Sequence, residues 1–390
     1  MIAYNTKTLD NLEIQQEAAK ALRKDCINTT TYKAIEAAHP VDFYTPNPVI
    51  QTGLFLLTAI IIAFSLGLVA LIILSGNSDE SAITGICLFM GLACYGALEL
   101  FIKEKKLYRA GVDEALLWGA VGLLLGGLAF NSHFSTTTWC GIVLLLSALA
   151  ALRFVSMVMT AVAFLALIGL LFSWLIQLGT MARMVIPFAV ILFSLLLYLA
   201  ANRLAAKHAM RHYQSCLTVV AVLSLLTFYL GGNYYVVREV SNTMFDMELA
   251  PGQSISGGWF FWAFTVIVPL VYLYLGVRKK DAVLLRTGLL LLAMIVFTIR
   301  YYHSVLPLET AMVLGGIVLT GGSWALIRYL REPRNGFTYL TPDEPSLADK
   351  LKIESLIITQ TFGTGTPTAT GNDMKFGGGS GGGGGASDSY

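Results

Sequence analysis

The sequence predicts an all-α integral membrane protein with about ten transmembrane helices and both termini in the cytosol (N-in/C-in). Three observations predict this fold. Of the 390 residues, 56% are hydrophobic and only 13% are charged, which leaves too little polar surface for a soluble protein of this size. Apolar runs of membrane-spanning length recur along the chain. Between two of them lies a basic cluster, which marks the cytosolic side because Lys and Arg stay there: Lys103, Lys105, Lys106 and Arg109.

The first element is a polar segment, residues 1–48, which we expect to be a cytosolic helical segment. Residues 30–38 fit a short helix that ends before Pro40. An earlier helix is indicated by four apolar residues that fall close to one helical face: Leu9, Leu12, Ala19 and Leu22. Two interpretations are open, a helical pair resting near the membrane surface and a ligand-binding module, although no binding motif lies here.

The second element is a polytopic transmembrane domain, residues 49–330. A helix needs about 20 apolar residues to cross the hydrocarbon core. The apolar run from 139 to 176 is too long for one crossing, so we predict a tight turn at Arg153. The ten predicted crossings are residues 50–74, 82–102, 113–130, 136–152, 154–176, 183–201, 214–231, 257–277, 282–300 and 308–328.

The distribution of basic residues supports the turn at Arg153. With the turn and a cytosolic N-terminus, all but three of the 26 Lys and Arg residues fall on the cytosolic side; the three are Arg183, Arg238 and Arg300. Without the turn, every later segment would invert and two basic groups would lie outside. The positive-inside rule therefore favours ten crossings.

The longest outer connection, residues 231–258, carries Arg238, Glu239 and a pair of tyrosines, Tyr234 and Tyr235. Aromatic side chains are enriched where a membrane meets water. One interpretation is therefore an interfacial aromatic belt with a solvated loop. The other is a lid over a binding site, since loops held by a rigid scaffold often carry function.

Ionisable groups at the last helical hairpin are the candidate site, because charges near lipid are functional candidates by default. Arg300 and Glu309 bracket a short turn and can form an ion pair. Such a pair would orient the side chains between them toward an outward-facing cavity for a polar or anionic ligand or a partner loop. The alternative is a hairpin clasp at the interface. The candidate residues are Arg300, Tyr301, Tyr302, His303 and Glu309, together with Arg238 and Glu239.

Other ionisable residues have simpler interpretations. Glu99 is placed to pair with Lys103 four residues later on the same helix. His208 and His212 have a spacing that can hold a metal, but no third ligand is evident in the sequence. The sequence contains no GxSxG, HExxH or GxxxxGK[ST] motif, and its five cysteines form no CxxC pair. Nothing therefore indicates an enzyme, a cofactor, a metal or a nucleic acid partner.

The last element, residues 331–390, is a polar, Gly-rich tail that we expect to be cytosolic and largely disordered. Three features are notable: the Gly-rich ending that closes on Gly385-Ala386-Ser387 and Tyr390, the Pro46-Asn47-Pro48 start of the first crossing, and the turned Leu152-Arg153-Phe154 junction. In these features the chain resembles uncharacterised bacterial, Bacteroidetes-like multi-pass membrane families of unknown function, and the similarity is one of pattern over most of its length. The resemblance implies a bacterial inner membrane and no particular chemistry.

These observations favour a scaffold or partner-binding membrane component, with the N-terminal segment and the tail as its cytosolic contacts. The rival class is a transporter or permease for a small neutral or apolar solute. Pro187 and Pro269, each of which interrupts an apolar run, point faintly to a site near mid-membrane. A lipid-active enzyme comes third. A deep polar cavity at Arg300 and Glu309 would favour the rivals, whereas a sealed hairpin would favour the scaffold.

Overall fold

A computed structural model of the chain describes residues 2–74, 80–130, 134–245 and 257–302, together with isolated residues at 255 and between 313 and 331. All of these residues belong to one compact unit, Met1–Glu344. Within this part of the chain the secondary structure is helical, without a strand, and one isolated bridge joins Tyr44 to Leu107. The predicted all-α class is therefore confirmed.

The N-terminal segment forms the two predicted helices, α1 (Thr6–Arg23) and α2 (Thr29–Ala38). Each begins at an asparagine whose side chain accepts a hydrogen bond from a backbone N–H in the first turn. Asn5 caps α1 and Asn28 caps α2. Such caps satisfy amide groups that have no partner within the helix.

Eight helices in the described part are long and apolar enough to cross a membrane. The first nine predicted crossings all coincide with helices, but α12 is apolar over a shorter stretch, Ala282–Thr298. The tenth, residues 308–328, lies mostly outside the described residues, so the count of ten stays a prediction. The eight are α3 (Pro48–Leu74), α4 (Glu80–Lys105), α5 (Val112–Phe130), α6 (Thr136–Phe154), α7 (Met157–Ile176), α8 (Ala182–Ala205), α9 (Gln214–Gly232) and α11 (Gly258–Lys279); α10 (Tyr234–Phe245) and α12 (Ala282–Tyr302) complete the set.

Neighbouring helices pack as antiparallel pairs: α4 with α5, α6 with α7, α8 with α9, and α11 with α12. Helix α9 also contacts α7, α11 and α12, while α3 lies against α4 and α5. Close approach of α11 and α12 depends on Gly276, where a Cβ atom would lie 2.8 Å from the backbone nitrogen of Leu285. Small residues at helix contacts serve this purpose in membranes, where lipid tails are as apolar as leucine.

The predicted tight turn at Arg153 is confirmed. Helix α6 ends at Phe154, Val155 adopts a left-handed conformation, and the Ser156 hydroxyl caps α7 by accepting from the N–H of Met159. The turn lies at the end of the bundle that carries α1 and α2. This end is called the α1 face below, and the opposite end, which carries α10, is the α10 face.

The solvated loop predicted within residues 231–258 is partly wrong. Residues 234–245 form α10, and Arg238 is only 8% exposed. Tyr234 and Val237 of this helix pack in one cluster with Phe261 of α11. The segment alternates polar and apolar residues at helical spacing, which allows a short helix to lie on the bundle with one face buried.

Candidate functional site

The residues predicted as a site lie at the α10 face where the structure describes them. Arg238 belongs to α10, as does the half-buried Glu239, and Arg300 lies in the last turn of α12. Tyr301 and Tyr302 end α12, but their side chains are outside the described part of the chain. His303 and Glu309 lie wholly outside it. The Arg300 and Glu309 ion pair therefore stays a prediction.

A buried polar group joins the start of α10 to α12. The side-chain amide of Asn233, fully buried, donates to the Tyr229 hydroxyl at 3.0 Å and to the Thr298 hydroxyl at 3.2 Å. Nearby, the Thr265 hydroxyl accepts from the N–H of Tyr234 at 3.0 Å. Buried polar groups need such partners, and these bonds fix where α10 begins. Sequence reasoning missed Asn233, although its place after Gly231 and Gly232 signals a helix end.

At the α1 face, an ion pair joins α4 to α6. Both Nε and Nη2 of Arg153 lie within 2.7 Å of Glu99 Oε1, and the Tyr95 hydroxyl donates to the same oxygen at 3.0 Å. The predicted pairing of Glu99 with Lys103 is therefore wrong. Glu99 pairs with Arg153 of α6 because it faces the bundle interior, where its side chain is only 17% exposed.

The extreme N-terminus is inserted among these helices. The N–H of Ala3 donates to the backbone carbonyl of Arg153 at 2.8 Å. Tyr4 is buried in edge-on contact with the rings of Phe43 and Tyr108. Burial, and then the negative charge of Asp113, raise the pKa of Tyr4 well above its ordinary value, so this hydroxyl stays protonated. The N-terminal segment is thus anchored to the bundle as well as lying over it.

The connection between α4 and α5 is held by a buried carboxylate. Asp113, 4% exposed, accepts hydrogen bonds from the backbone N–H groups of Arg109 and Ala110 at 2.8 and 2.9 Å. The Arg109 guanidinium in turn donates to the Ser215 hydroxyl of α9 at 3.4 Å. A carboxylate at a helix N-terminus also interacts favourably with the helix dipole. Of the predicted basic cluster, Arg109 is therefore part of a packed junction, whereas Lys103, Lys105 and Lys106 are exposed.

A second ion pair connects α1 to the base of α9. Arg211 Nη2 lies 2.6 Å from both carboxylate oxygens of Asp10, and His212 Nε2 lies 3.3 Å from Asp10 Oδ1. Ligand-type atoms of Asp10, Glu13 and His212 lie within 4.8 Å of one another. Helix α1 thus supplies two carboxylates close to His212, which the sequence does not indicate. Arg211 already neutralises Asp10, so the arrangement works as a clasp.

Next to this clasp is an open cleft of about 770 Å³. One wall is the acidic side of α1, and the other is the basic connection between α8 and α9. Its charged lining consists of Asp10, Glu13 and Glu17 on one side and Lys207, His208 and Arg211 on the other. Such a cleft can bind a polar partner that carries charges of both signs.

The described helices define the class: a multi-pass α-helical membrane protein that contacts the lipid bilayer. No protein-family model, curated protein or solved structure matches the chain. The function therefore rests on the geometry of the two faces.

Proposed function

We propose that the protein crosses a bacterial inner membrane ten times and that its α1 face is cytosolic. The charge distribution supports this orientation. The α1 face carries the basic clusters Lys103 to Arg109 and Arg278 to Lys280, whereas the basic residues predicted outside number three. The bacterial assignment rests on the resemblance of most of the chain, in pattern, to Bacteroidetes-like membrane families.

On this face the protein acts as a scaffold or partner-binding component. The observation that carries this proposal is the charged cleft between α1 and the connection from α8 to α9. Its volume of about 770 Å³ is within the range of ligand sites, but small-molecule sites are mostly apolar and bury their ligand. An open cleft with walls of opposite charge suits a polypeptide segment, because complementary charges fix the register in which it docks and raise its association rate.

The anchored N-terminus strengthens this proposal. Tyr4 and the clasp at Asp10 hold α1 against the bundle, so the acidic wall has a fixed distance from the basic wall. A prearranged cleft avoids part of the ordering cost of association. The Gly-rich tail, residues 331–390, remains a proposed second contact.

Photo-crosslinking in living cells tests the proposal. A photoreactive amino acid replaces Glu17, which lines the cleft, or Glu36, an exposed acidic residue of α2 that serves as the control. We expect one protein adduct of defined mass from position 17, its loss when Lys207→Glu reverses the opposite wall, and none from position 36. Equal crosslinking at both positions, or no protein adduct at position 17, would contradict partner binding in the cleft.

A second candidate is a transporter for a small neutral or apolar solute. Pro187 lies inside α8 and removes a hydrogen bond from that helix. It lines an apolar cavity of about 30 Å³ beneath α10, with Val190, Leu230 and Val237. This is about the space of one water, so carriage requires α10 to move.

Swelling of proteoliposomes in a glycerol gradient tests the transporter. Transport predicts faster swelling than in protein-free liposomes, and a change in that rate for Pro187→Ala. Swelling at the rate of protein-free liposomes would count against carriage of small neutral solutes.

A further inference from the structure

A second cavity lies between α8, α9, α11 and α12, within the membrane-spanning part of the bundle. Its volume is about 120 Å³. Apolar side chains form most of the wall. Five lining residues have polar groups: Ser194, Tyr198, Ser224 and Tyr272 have hydroxyls, and Lys279 has an ammonium group.

The hydroxyl of Ser224 distinguishes this cavity from a packing defect. Ser224 is fully buried, and its Oγ has no hydrogen-bond partner in the described part of the chain. Its neighbours are satisfied: Ser194 donates to the Val190 carbonyl at 2.6 Å, and Tyr272 donates to the Leu225 carbonyl at 3.2 Å. Because an unmade bond to a buried hydroxyl is costly, Ser224 points to a polar group of a ligand.

The cavity is polar at one end and apolar along its length. Lys279 is exposed at the α1 face, in the last turn of α11. Tyr272 lies seven residues earlier on the same helix, which is about 10 Å deeper at 1.5 Å per residue. Leu195 and Leu275 line the side between these levels. A ligand that fits has a charged head and an apolar body.

The charge at the mouth selects the sign of the head. Arg278 and Lys280 flank Lys279 in sequence, so three consecutive basic residues end α11. The acidic residue beside them, Asp281, accepts hydrogen bonds from the N–H groups of Val283 and Leu284 and so caps α12. Basic pockets between transmembrane helices bind the head groups of anionic lipids.

We propose that this cavity binds one anionic phospholipid. Its phosphate lies at Lys279, and Ser224 donates a hydrogen bond to an ester oxygen. The volume of about 120 Å³ holds only a few methylene groups between α8 and α11, so the rest of each acyl chain lies outside the cavity. The site is separate from the charged cleft and does not depend on partner binding there. It makes the protein sensitive to the lipid composition of its membrane.

Native mass spectrometry of the full-length protein in detergent tests the site. Dioleoyl phosphatidylglycerol and dioleoyl phosphatidylcholine are added in separate titrations. Lys279→Gln removes the proposed phosphate contact, and Arg278→Gln is the matched control, an exposed basic residue of the same turn that does not line the cavity. We expect the anionic lipid to bind about fivefold more weakly to Lys279→Gln and to be little affected by Arg278→Gln.

Equal loss in both variants, or equal binding of the two lipids by the unaltered protein, would overturn the proposal. Two further arms address the cavity itself. Ser224→Leu fills it and should abolish tight binding, while Ser224→Ala keeps its volume and should weaken binding in a folded protein. Inorganic phosphate at millimolar concentration should leave the lipid bound, and displacement by phosphate would show that the site takes free anions instead.

Discussion

At the scale of single residues, partners that are distant in the sequence hold the α1 face together. Glu99 pairs with Arg153 of another helix, and Asp10 pairs with Arg211 some two hundred positions later. Side chains three or four positions apart are neighbours on the same helix, so the sequence pattern predicts Lys103 as the partner of Glu99 and cannot indicate a partner on another helix. The Glu99 carboxylate instead pairs with Arg153 because it is half-buried, and a charge in a low-dielectric environment needs an opposite charge close by.

Loss of the Glu99 charge should destabilise the bundle. Glu99→Gln leaves Arg153 partly buried without its counter-charge, and we expect a fall of about 1–2 kcal/mol in unfolding free energy. Thermal unfolding in detergent measures this change in stability. The control is Glu104→Gln, an exposed residue of the same helix, which should change the unfolding free energy by less than about 0.5 kcal/mol. Equal midpoints for the two variants would contradict the assigned pair, and Arg153→Gln should partly restore the midpoint of Glu99→Gln.

Gly111 should tolerate no side chain. Its φ is +90°, and a Cβ atom would lie 2.1 Å from the carbonyl oxygen of Gln51. Gly111→Ala therefore requires α3 to move away from the connection between α4 and α5. We expect most of this variant to elute as aggregate in size-exclusion chromatography, whereas Gly53→Ala, whose Cβ would meet nothing within 4 Å, elutes as the unaltered protein does. Normal elution of Gly111→Ala would refute this packing.

At the scale of elements, the long apolar helices and the two N-terminal helices follow from the sequence, and the amphipathic helix α10 does not. The eight helices of membrane-spanning length lie where apolar runs predicted them, and the turn at Arg153 follows because the run from 139 to 176 exceeds one membrane thickness. Helix α10 was missed because its polar residues resemble those of a solvated connection. Its position depends on Asn233 and Thr298, a contact between distant segments that no local pattern reports.

The docking of α1 should depend on the clasp at Asp10. Asp10→Asn removes the charge that holds Arg211, so α1 should undock and unwind more often. Unwinding makes the backbone at Lys20 and Arg23, whose side chains are already exposed, accessible to trypsin. We expect cleavage about five to ten times faster, the effect of losing about 1–1.4 kcal/mol of charge-assisted hydrogen bonding. Glu36→Gln, at an exposed position of α2 away from these cleavage sites, is the control. An unchanged rate in Asp10→Asn would show that Tyr4 alone anchors the segment.

At the scale of the whole molecule, the two faces of the bundle differ in charge and in the features they carry. The α1 face gathers the basic clusters, the anchored N-terminus, the charged cleft and the mouth of the proposed lipid site. The α10 face carries the short helix α10, whose start is held by the buried side-chain amide of Asn233. The sequence-predicted site on that face stays a prediction, because His303 and Glu309 lie outside the described residues. The proposed binding of a cytosolic partner in the charged cleft requires the α1 face to be cytosolic.

Labelling of Cys26 tests that requirement most directly. Cys26 is exposed at the α1 face, and the other four cysteines lie in helices and are replaced by alanine. A second variant places the single cysteine on the α10 face by Thr136→Cys, at the exposed start of α6. With a membrane-impermeant maleimide and intact cells, we expect Thr136→Cys to react at once and Cys26 to react only after lysis. Reaction of Cys26 in intact cells, with protection of Thr136→Cys, would reverse the topology and contradict the proposed cytosolic cleft.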